Sequence, residues 1–146
     1  MSYPYPIVEL SAVVIRHKDG RVLLDYNDRW GAFTLPMSKR HSLPPAVEHG
    51  QPATESAEMA GMRAASEVLG HPLLKGSLSE ISVELEPYHQ SGSDGQWKRY
   101  TFTVFTTTTE ELPKPLPGHT AIWIDPKAIE QVEPISPTAR LILKKM

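Results

Sequence analysis

Glu55, Arg63 and Glu67 are the residues of this chain whose types and spacing could do chemistry. They lie in the segment TESAEMAGMRAASEVLG, residues 54–70, which predicts a helix. Arg63 and Glu67 are four positions apart and therefore share one flank of that helix. Because Mg²⁺ prefers oxygen ligands such as carboxylates, the flank could hold a metal ion. The alternative, which the pattern alone favours, is a solvated Arg63–Glu67 ion pair worth about 0.2–0.5 kcal/mol.

A stripe of small side chains on the same helix predicts close packing against the protein core. At about 100° per residue the stripe consists of Ala57, Gly61, Ala64 and Val68. Thr54 is the expected N-cap residue, and Gly70 is expected to end the helix. A glycine inside a helix costs roughly 1 kcal/mol relative to alanine, which close packing at Gly61 must offset.

Strand patterns surround this helix on both sides. Two strands at 7–16 and 21–26 flank the HKDG turn, and further strands are expected at 81–89, 97–107 and 121–125. Ser136 and Pro137 suit the N-cap and first position of a closing helix. This order predicts an α+β fold with a mixed β-sheet sandwiched between α-helices.

The segment SKRHSLPPAVEHGQPA, residues 38–53, is an unusually long connection for a compact domain. It holds three prolines and two histidines, so we expect a mobile loop or a lid at the mouth of a cleft. The whole chain of 146 residues is long enough for one domain with a sizeable core and too short for two.

Composition narrows the function classes. The net charge of −2 gives no global electrostatic attraction to nucleic acid or to anionic membranes, so neither is an expected partner. The chain has no cysteine, which excludes disulfides and thiolate metal sites. No apolar run approaches the roughly 18 residues of a membrane span. We therefore expect a cytoplasmic protein.

The chain resembles the Nudix family, and the resemblance runs over nearly all of it. The family signature is a glycine, five residues, a glutamate, seven residues, and then Arg-Glu-aliphatic-any-Glu-Glu-any-Gly. Glu55, Arg63, Glu67 and Gly70 stand at the matching spacings. The hairpin VVIRHKDGRVLLDYNDRW, a Leu-Pro before the box, and AIWID followed by SPTARLIL occur in the family's order. The resemblance implies a single Nudix-like domain over residues 1–146, with an inserted loop at about 38–53.

Several residues depart from the signature. Ala64 and Val68 stand where two of the three helix glutamates are expected. His49 replaces the first glycine, and Met37-Ser38 replaces the Gly-Gly that usually follows Leu-Pro. The family cleaves pyrophosphates with Mg²⁺ or Mn²⁺, which neutralises phosphate oxygens and activates water. With one helix glutamate left, metal affinity must fall.

The resemblance assigns roles to individual residues. It implies Glu67 as a catalytic metal ligand and Arg63 as the residue that orients the helix carboxylates. Glu55 and Glu111 are the further metal candidates, with Mg²⁺ or Mn²⁺ as the cofactor if the protein is catalytic and none otherwise. For Glu111 an exposed turn before a proline-rich stretch is the favoured alternative.

The implied partner is a small nucleotide-type ligand. Trp97 and Arg99 would bind it through stacking and phosphate contacts, and Lys39 is a third candidate. The alternative, which the pattern slightly favours, is an ordinary amphipathic strand with one buried and one exposed face. Tyr3 and Tyr5, in the proline-containing segment SYPYP, could cover a sheet edge or contact a second copy of the chain, so a homodimer stays one of the alternatives. Two functions remain: a divergent pyrophosphohydrolase whose hydrolysis is weak or absent, and a non-catalytic binding or regulatory module.

Overall fold

A computed structural model of the chain describes residues 7–28, 31–39, 42–43, 53–74, 76–83, 88–90, 97–110 and 113–145. Ten strands are described: β1 Ile7–His17, β2 Val22–Asn27, β3 Ala32–Thr34, β4 Met37–Lys39, β5 Ser42–Leu43, β6 Ala53–Thr54, β7 Ser79–Ile81, β8 Tyr88–Gln90, β9 Trp97–Thr109 and β10 Ala121–Ile124. The helices are α1 Ala57–Leu69, a 3-10 helix Pro126–Gln131 and α2 Pro137–Lys144. No helix in these ranges is long and apolar enough to cross a membrane.

The main sheet is mixed, as predicted. Its strand order is β10-β2-β1-β9-β7, with β3 paired to β2, β4 to β1 and β8 to β9. β1 and β9 run parallel, and the other pairs are antiparallel. The strand predicted at 81–89 was wrong in extent, because β7 and β8 pair with different parts of β9: β7 with residues 104–106 and β8 with residues 97–99.

Helices cover both faces of this sheet, which confirms the predicted sandwich. β1 is the central strand, and side chains on both of its faces are fully buried: Ala12 and Val14 on one, Val13 and Ile15 on the other. The first face packs with Ala139, Ile142 and Leu143 of α2. The second face packs with Ala65, Val68 and Leu69 of α1. The alternation of side chains along β1 thus divides the core into two layers.

The start of α1 differs from the prediction. Ser56 is the N-cap residue, since its Oγ accepts a hydrogen bond from the backbone N–H of Met59 at 3.1 Å. Thr54, the predicted cap, belongs to β6, where it pairs with Ser42 of β5. β5 and β6 occupy parts of the segment 38–53, which was predicted to be a loop. Residues 44–52, on which the expectation of a lid depends, lie outside the described residues. Ser136 caps α2 as predicted, with Pro137 in its first turn.

The stripe on α1 packs closely against the sheet, as expected. Gly61 is the point of nearest approach: a Cβ atom there would lie 3.2 Å from Leu78 Cδ1 and Phe105 Cδ2, and 3.4 Å from Val13 Cγ2. Such separations are at the lower limit of ordinary carbon contacts, so a larger side chain has no room.

We expect Gly61→Leu to lower the free energy of unfolding by about 1–3 kcal/mol, because the added carbons would force Leu78 and Phe105 apart. Met59→Leu is the matched control, because Met59 lies on the same helix with half of its surface exposed. Chemical denaturation measures both variants. Equal stability of Gly61→Leu and the parent would contradict close packing of α1.

Candidate functional site

Arg63 connects the first half of α1 to the sheet. Its Nη2 donates to Glu55 Oε1 at 2.7 Å, and its Nε lies 3.4 Å from Glu55 Oε2. The Arg63 Nη1 donates to Ser38 Oγ at 2.6 Å, and Nη2 also donates to the Lys39 carbonyl at 3.0 Å. The Glu55 side chain is 8% exposed and that of Arg63 is 29% exposed. The two-pronged contact is the geometry in which a guanidinium binds a carboxylate strongly.

Glu67 lies on the same flank of α1 but faces a different partner. Its Oε2 is 3.5 Å from His119 Nε2. Within the described part of the chain, Arg63 forms an ion pair with Glu55, and Glu67 contacts His119, so the expected Arg63–Glu67 pair was wrong. The physical reason is that Glu55, just before the N-cap, offers a buried carboxylate to which Arg63 binds with two nitrogens.

A buried aspartate of β2 holds His119 in place. Asp25 Oδ2 lies 2.8 Å from His119 Nδ1, and Asp25 Oδ1 accepts the backbone N–H of Thr120 at 3.0 Å. Asp25 is 8% exposed as a residue. Sequence reasoning missed both Asp25 and His119. The available signal for Asp25 was an acidic residue directly after three apolar strand residues, because a buried carboxylate requires a partner.

The segment 113–120 brings His119 to α1 by binding the end of the helix. Lys114 N–H donates to the Leu69 carbonyl at 2.7 Å, and Leu116 N–H donates to the Glu67 carbonyl at 3.0 Å. These bonds satisfy carbonyls that the last turn of a helix leaves free. Gly70 has φ 83°, and a Cβ there would be 1.6 Å from the Lys114 carbonyl oxygen, so only glycine fits.

The two positions that lack the expected glutamates belong to the core. Ala64 is 3% exposed and Val68 is 1% exposed, and Val68 packs in the same cluster as Val13, Leu23 and Phe105. The Glu67 side chain, in contrast, is 40% exposed. Of the three signature positions on this turn, one therefore presents a carboxylate at the surface.

This set of residues does not fit Mg²⁺ held by a turn of glutamates. Mg²⁺ requires an octahedral arrangement of oxygen ligands. No three His, Cys, Asp or Glu side chains within the described ranges lie close enough together to hold a metal ion. Glu55, one of the predicted ligands, is bound by Arg63, and Glu111 lies outside the described residues. We therefore assign no chemical step to a magnesium ion.

The predicted substrate residues are only partly described. Lys39 is exposed at the end of β4, and its carbonyl, not its amine, makes the contact with Arg63. Trp97 and Arg99 lie in β9, where their backbones pair with Gln90 and Tyr88 of β8. The side chains of Trp97 and Arg99 lie outside the description. Their roles as ligand contacts stay predictions.

Comparison with solved structures identifies the fold. The MutT protein of Methanosarcina mazei Go1 is 18% identical, with a TM-score of 0.67 over 99% of this chain and 94% of that one. The MutT Nudix hydrolase of Burkholderia pseudomallei is 20% identical, with a TM-score of 0.65 over 96% and 98%. The C. elegans Ap4A hydrolase is 15% identical, with a TM-score of 0.59 over 95% and 96%. No family model matches the chain, and no curated protein does. The chain therefore has the Nudix fold, as the resemblance implied.

We expect Arg63→Met to lower the free energy of unfolding by about 2–3 kcal/mol, because it removes charge-assisted hydrogen bonds from the buried Glu55 carboxylate. Lys18→Met is the control, because Lys18 pairs with Glu110 at 3.4 Å where both side chains are at least 70% exposed. That variant should unfold at the parent's denaturant midpoint. Equal losses in the two variants would contradict a structural role for the Glu55–Arg63 bridge.

Proposed function

We propose that this protein binds a pyrophosphate-containing ligand of the nucleoside diphosphate type and hydrolyses it weakly or not at all. The observation that supports this proposal most strongly is the burial of Ala64 and Val68 in the core face of α1. The Nudix fold of the chain supplies the ligand class, through its similarity to hydrolases of nucleotide compounds such as Ap4A. Fold similarity alone does not determine activity, so the site residues must carry the argument.

The missing carboxylates bear directly on the chemistry. Cleavage of a pyrophosphate by water requires neutralisation of the phosphate oxygens and a water molecule of lowered pKa, both of which bound divalent ions supply. Glutamates at positions i, i+3 and i+4 would converge on such ions from one turn of α1. In this chain the three positions hold Ala64, Glu67 and Val68. Glu67 alone offers Mg²⁺ or Mn²⁺ a single carboxylate, which supports weak metal binding and slow hydrolysis at most.

Arg63 has a positioning role in this proposal. Its guanidinium bridges Glu55 to Ser38 and to the Lys39 carbonyl, so it holds the start of α1 against β4. Lys39, with its side chain exposed beside this bridge, is proposed to contact ligand phosphates. Trp97 and Arg99 of β9 are proposed to contact the rest of the nucleotide, and Glu111 remains a candidate metal ligand.

The second candidate is a purely binding or regulatory module that needs no metal cofactor. The Glu55–Arg63 bridge favours it, because that contact gives the retained signature spacing a structural purpose that is independent of catalysis. The two candidates differ in whether any hydrolysis occurs and whether a divalent ion binds together with the ligand.

Calorimetric titration of the protein with ADP-ribose and with diadenosine tetraphosphate, in EDTA and in Mn²⁺, tests ligand binding. Phosphorus NMR of the same mixtures tests hydrolysis. We expect at least one compound to bind, with cleavage slow or absent in the Mn²⁺ sample. Fast cleavage that Glu67→Gln abolishes would contradict the proposal, and absence of binding by every pyrophosphate compound would contradict the ligand class.

Restoring the signature glutamates tests why hydrolysis is proposed to be lost. We expect the double variant Ala64→Glu and Val68→Glu to lose several kcal/mol of stability, about the cost of burying carboxylates without partners. Met59→Glu, on the exposed side of the same helix, is the control and should remain folded. Circular dichroism during denaturation measures both. A stable double variant that gains Mn²⁺-dependent pyrophosphatase activity would show that the α1 face can still carry a metal site.

A further inference from the structure

A cavity of about 450 Å³ opens between the β1–β2 turn, the first residues of the 3-10 helix and the end of α2. It is lined by Arg16 and Lys127, and Pro126 and Leu143 contribute apolar surface. Its volume is within the range of small-molecule binding sites. We propose that the cavity binds a small organic monoanion, whose carboxylate contacts Arg16 and Lys127 and whose hydrocarbon part packs on Pro126 and Leu143.

The cavity lies on the face of the main sheet that α2 covers. Arg16 is two residues beyond Val14 in β1 and therefore lies on the same face, where it pairs in register with Val22 of β2. Val14, Val22 and Leu143 belong to the core cluster of that face. The helix α1, which carries the candidate functional site, covers the opposite face. The cavity is therefore separate from the proposed pyrophosphate site.

Arg16 and Lys127 are the two cations of the lining that have no partner in the described part of the chain. Neither side chain forms an ion pair or a hydrogen bond with the residues described. Lys127 is exposed, so water solvates its ammonium group, whereas Arg16 is partly buried near the end of β1. A partly buried charge gains more from a counterion than an exposed one, because the dielectric constant around it is lower. Arg16 is therefore expected to contribute most to the binding of an anion.

The other charged residues that line the cavity already have partners within the chain. Asp19 Oδ2 accepts a hydrogen bond from Arg21 Nε at 2.8 Å, and Asp19 Oδ1 accepts one from the Arg21 backbone N–H at 3.0 Å. Asp125 Oδ1 accepts the backbone N–H of Lys127 at 2.9 Å and so caps the 3-10 helix. These contacts engage both carboxylates of the lining, which leaves the side chains of Arg16 and Lys127 available to a ligand.

The charge of the lining indicates the class of ligand. Three cations and two carboxylates line the cavity, which leaves one positive charge in excess: Arg16, Arg21, Lys127, Asp19 and Asp125. A ligand with a single negative charge balances this excess, whereas a pyrophosphate carries several. A guanidinium binds a carboxylate through two parallel N–H···O bonds, and a lysine ammonium adds attraction as a point charge. A carboxylate is therefore the anionic group that this lining matches.

Titration of the nitrogen-15-labelled protein with sodium hexanoate, followed by NMR, tests this site without any nucleotide. We expect the backbone amide signals of Gly20 and Lys127 to shift and saturate, while that of Met59 on α1 stays unchanged. Acetate should bind about threefold more weakly or worse, because it lacks the hydrocarbon part that packs on Leu143. The neutral 1-hexanol has the same chain without the charge and should not bind detectably.

Substitutions of the two cations assign the binding to this cavity. We expect Arg16→Gln to weaken hexanoate binding about tenfold, because it removes charge-assisted hydrogen bonds, and Lys127→Gln to weaken it about threefold. Arg16→Lys keeps the charge without the two-pronged contact and should fall between Arg16→Gln and the parent. Lys18→Gln is the matched control, because Lys18 lies in the same β1–β2 turn but does not line the cavity. That variant should bind hexanoate as the parent does.

Thermal melts verify that each variant is folded, and Lys127→Gln, at an exposed position, keeps the test valid if Arg16→Gln does not fold. Hexanoate affinity that is equal in the parent and in the folded Gln variants would overturn the proposal. Binding of 1-hexanol as tight as that of hexanoate would also overturn it, as would tighter binding of inorganic phosphate. Failure of nucleotide binding leaves these results unchanged, so the two proposals fail separately.

Discussion

The close packing of α1 against β1 is the constraint on which the rest of the structure depends. Gly61 allows the helix to approach until Val13 and Phe105 would touch any added side chain. That approach carries Ala64 and Val68 into the core with almost no exposed surface. The chemistry open to the helix is consequently limited to one flank, where Arg63 and Glu67 lie. A carboxylate on the packed face would have to be buried, which is costly without a partner.

Two sets of polar contacts on that flank each attach one half of α1 to the sheet. The first half is tied to β4 through Glu55, Arg63 and Ser38, and Ser11 of β1 adds a hydrogen bond to the Ala57 carbonyl at 2.7 Å. The second half is tied through Glu67 to His119 and so to β2. In the proposed account, Arg63 holds the start of α1 against β4.

Sequence periodicity predicted the elements whose form depends on local pattern. The small-residue stripe of α1, the apolar strand β1 and the Ser136–Pro137 start of α2 follow from residue types a few positions apart. The N-cap of α1 was placed two residues early, at Thr54. Serine and threonine both serve as N-cap residues, and Thr54 is instead paired with Ser42 in the β5–β6 ladder, which local pattern does not contain.

The site was less predictable because its contacts are distant in sequence. Asp25 and His119 are separated by 94 positions, and only the docking of segment 113–120 on α1 brings them together. The Arg63 partner was also missed, since Glu55 lies before the helix and no helical spacing relates the two. The signature alone identified Glu67 as a candidate metal ligand, but it did not predict that His119 lies beside it.

Anomalous diffraction from crystals soaked in Mn²⁺ tests the central claim, that the packed face of α1 excludes a metal site built from the signature positions of the helix. The account predicts no Mn²⁺ peak over the α1 turn that carries Ala64 and Val68. Two or more Mn²⁺ ions bound along that turn beside Glu67 would contradict it, because the helix would then still hold the ions that pyrophosphate hydrolysis requires.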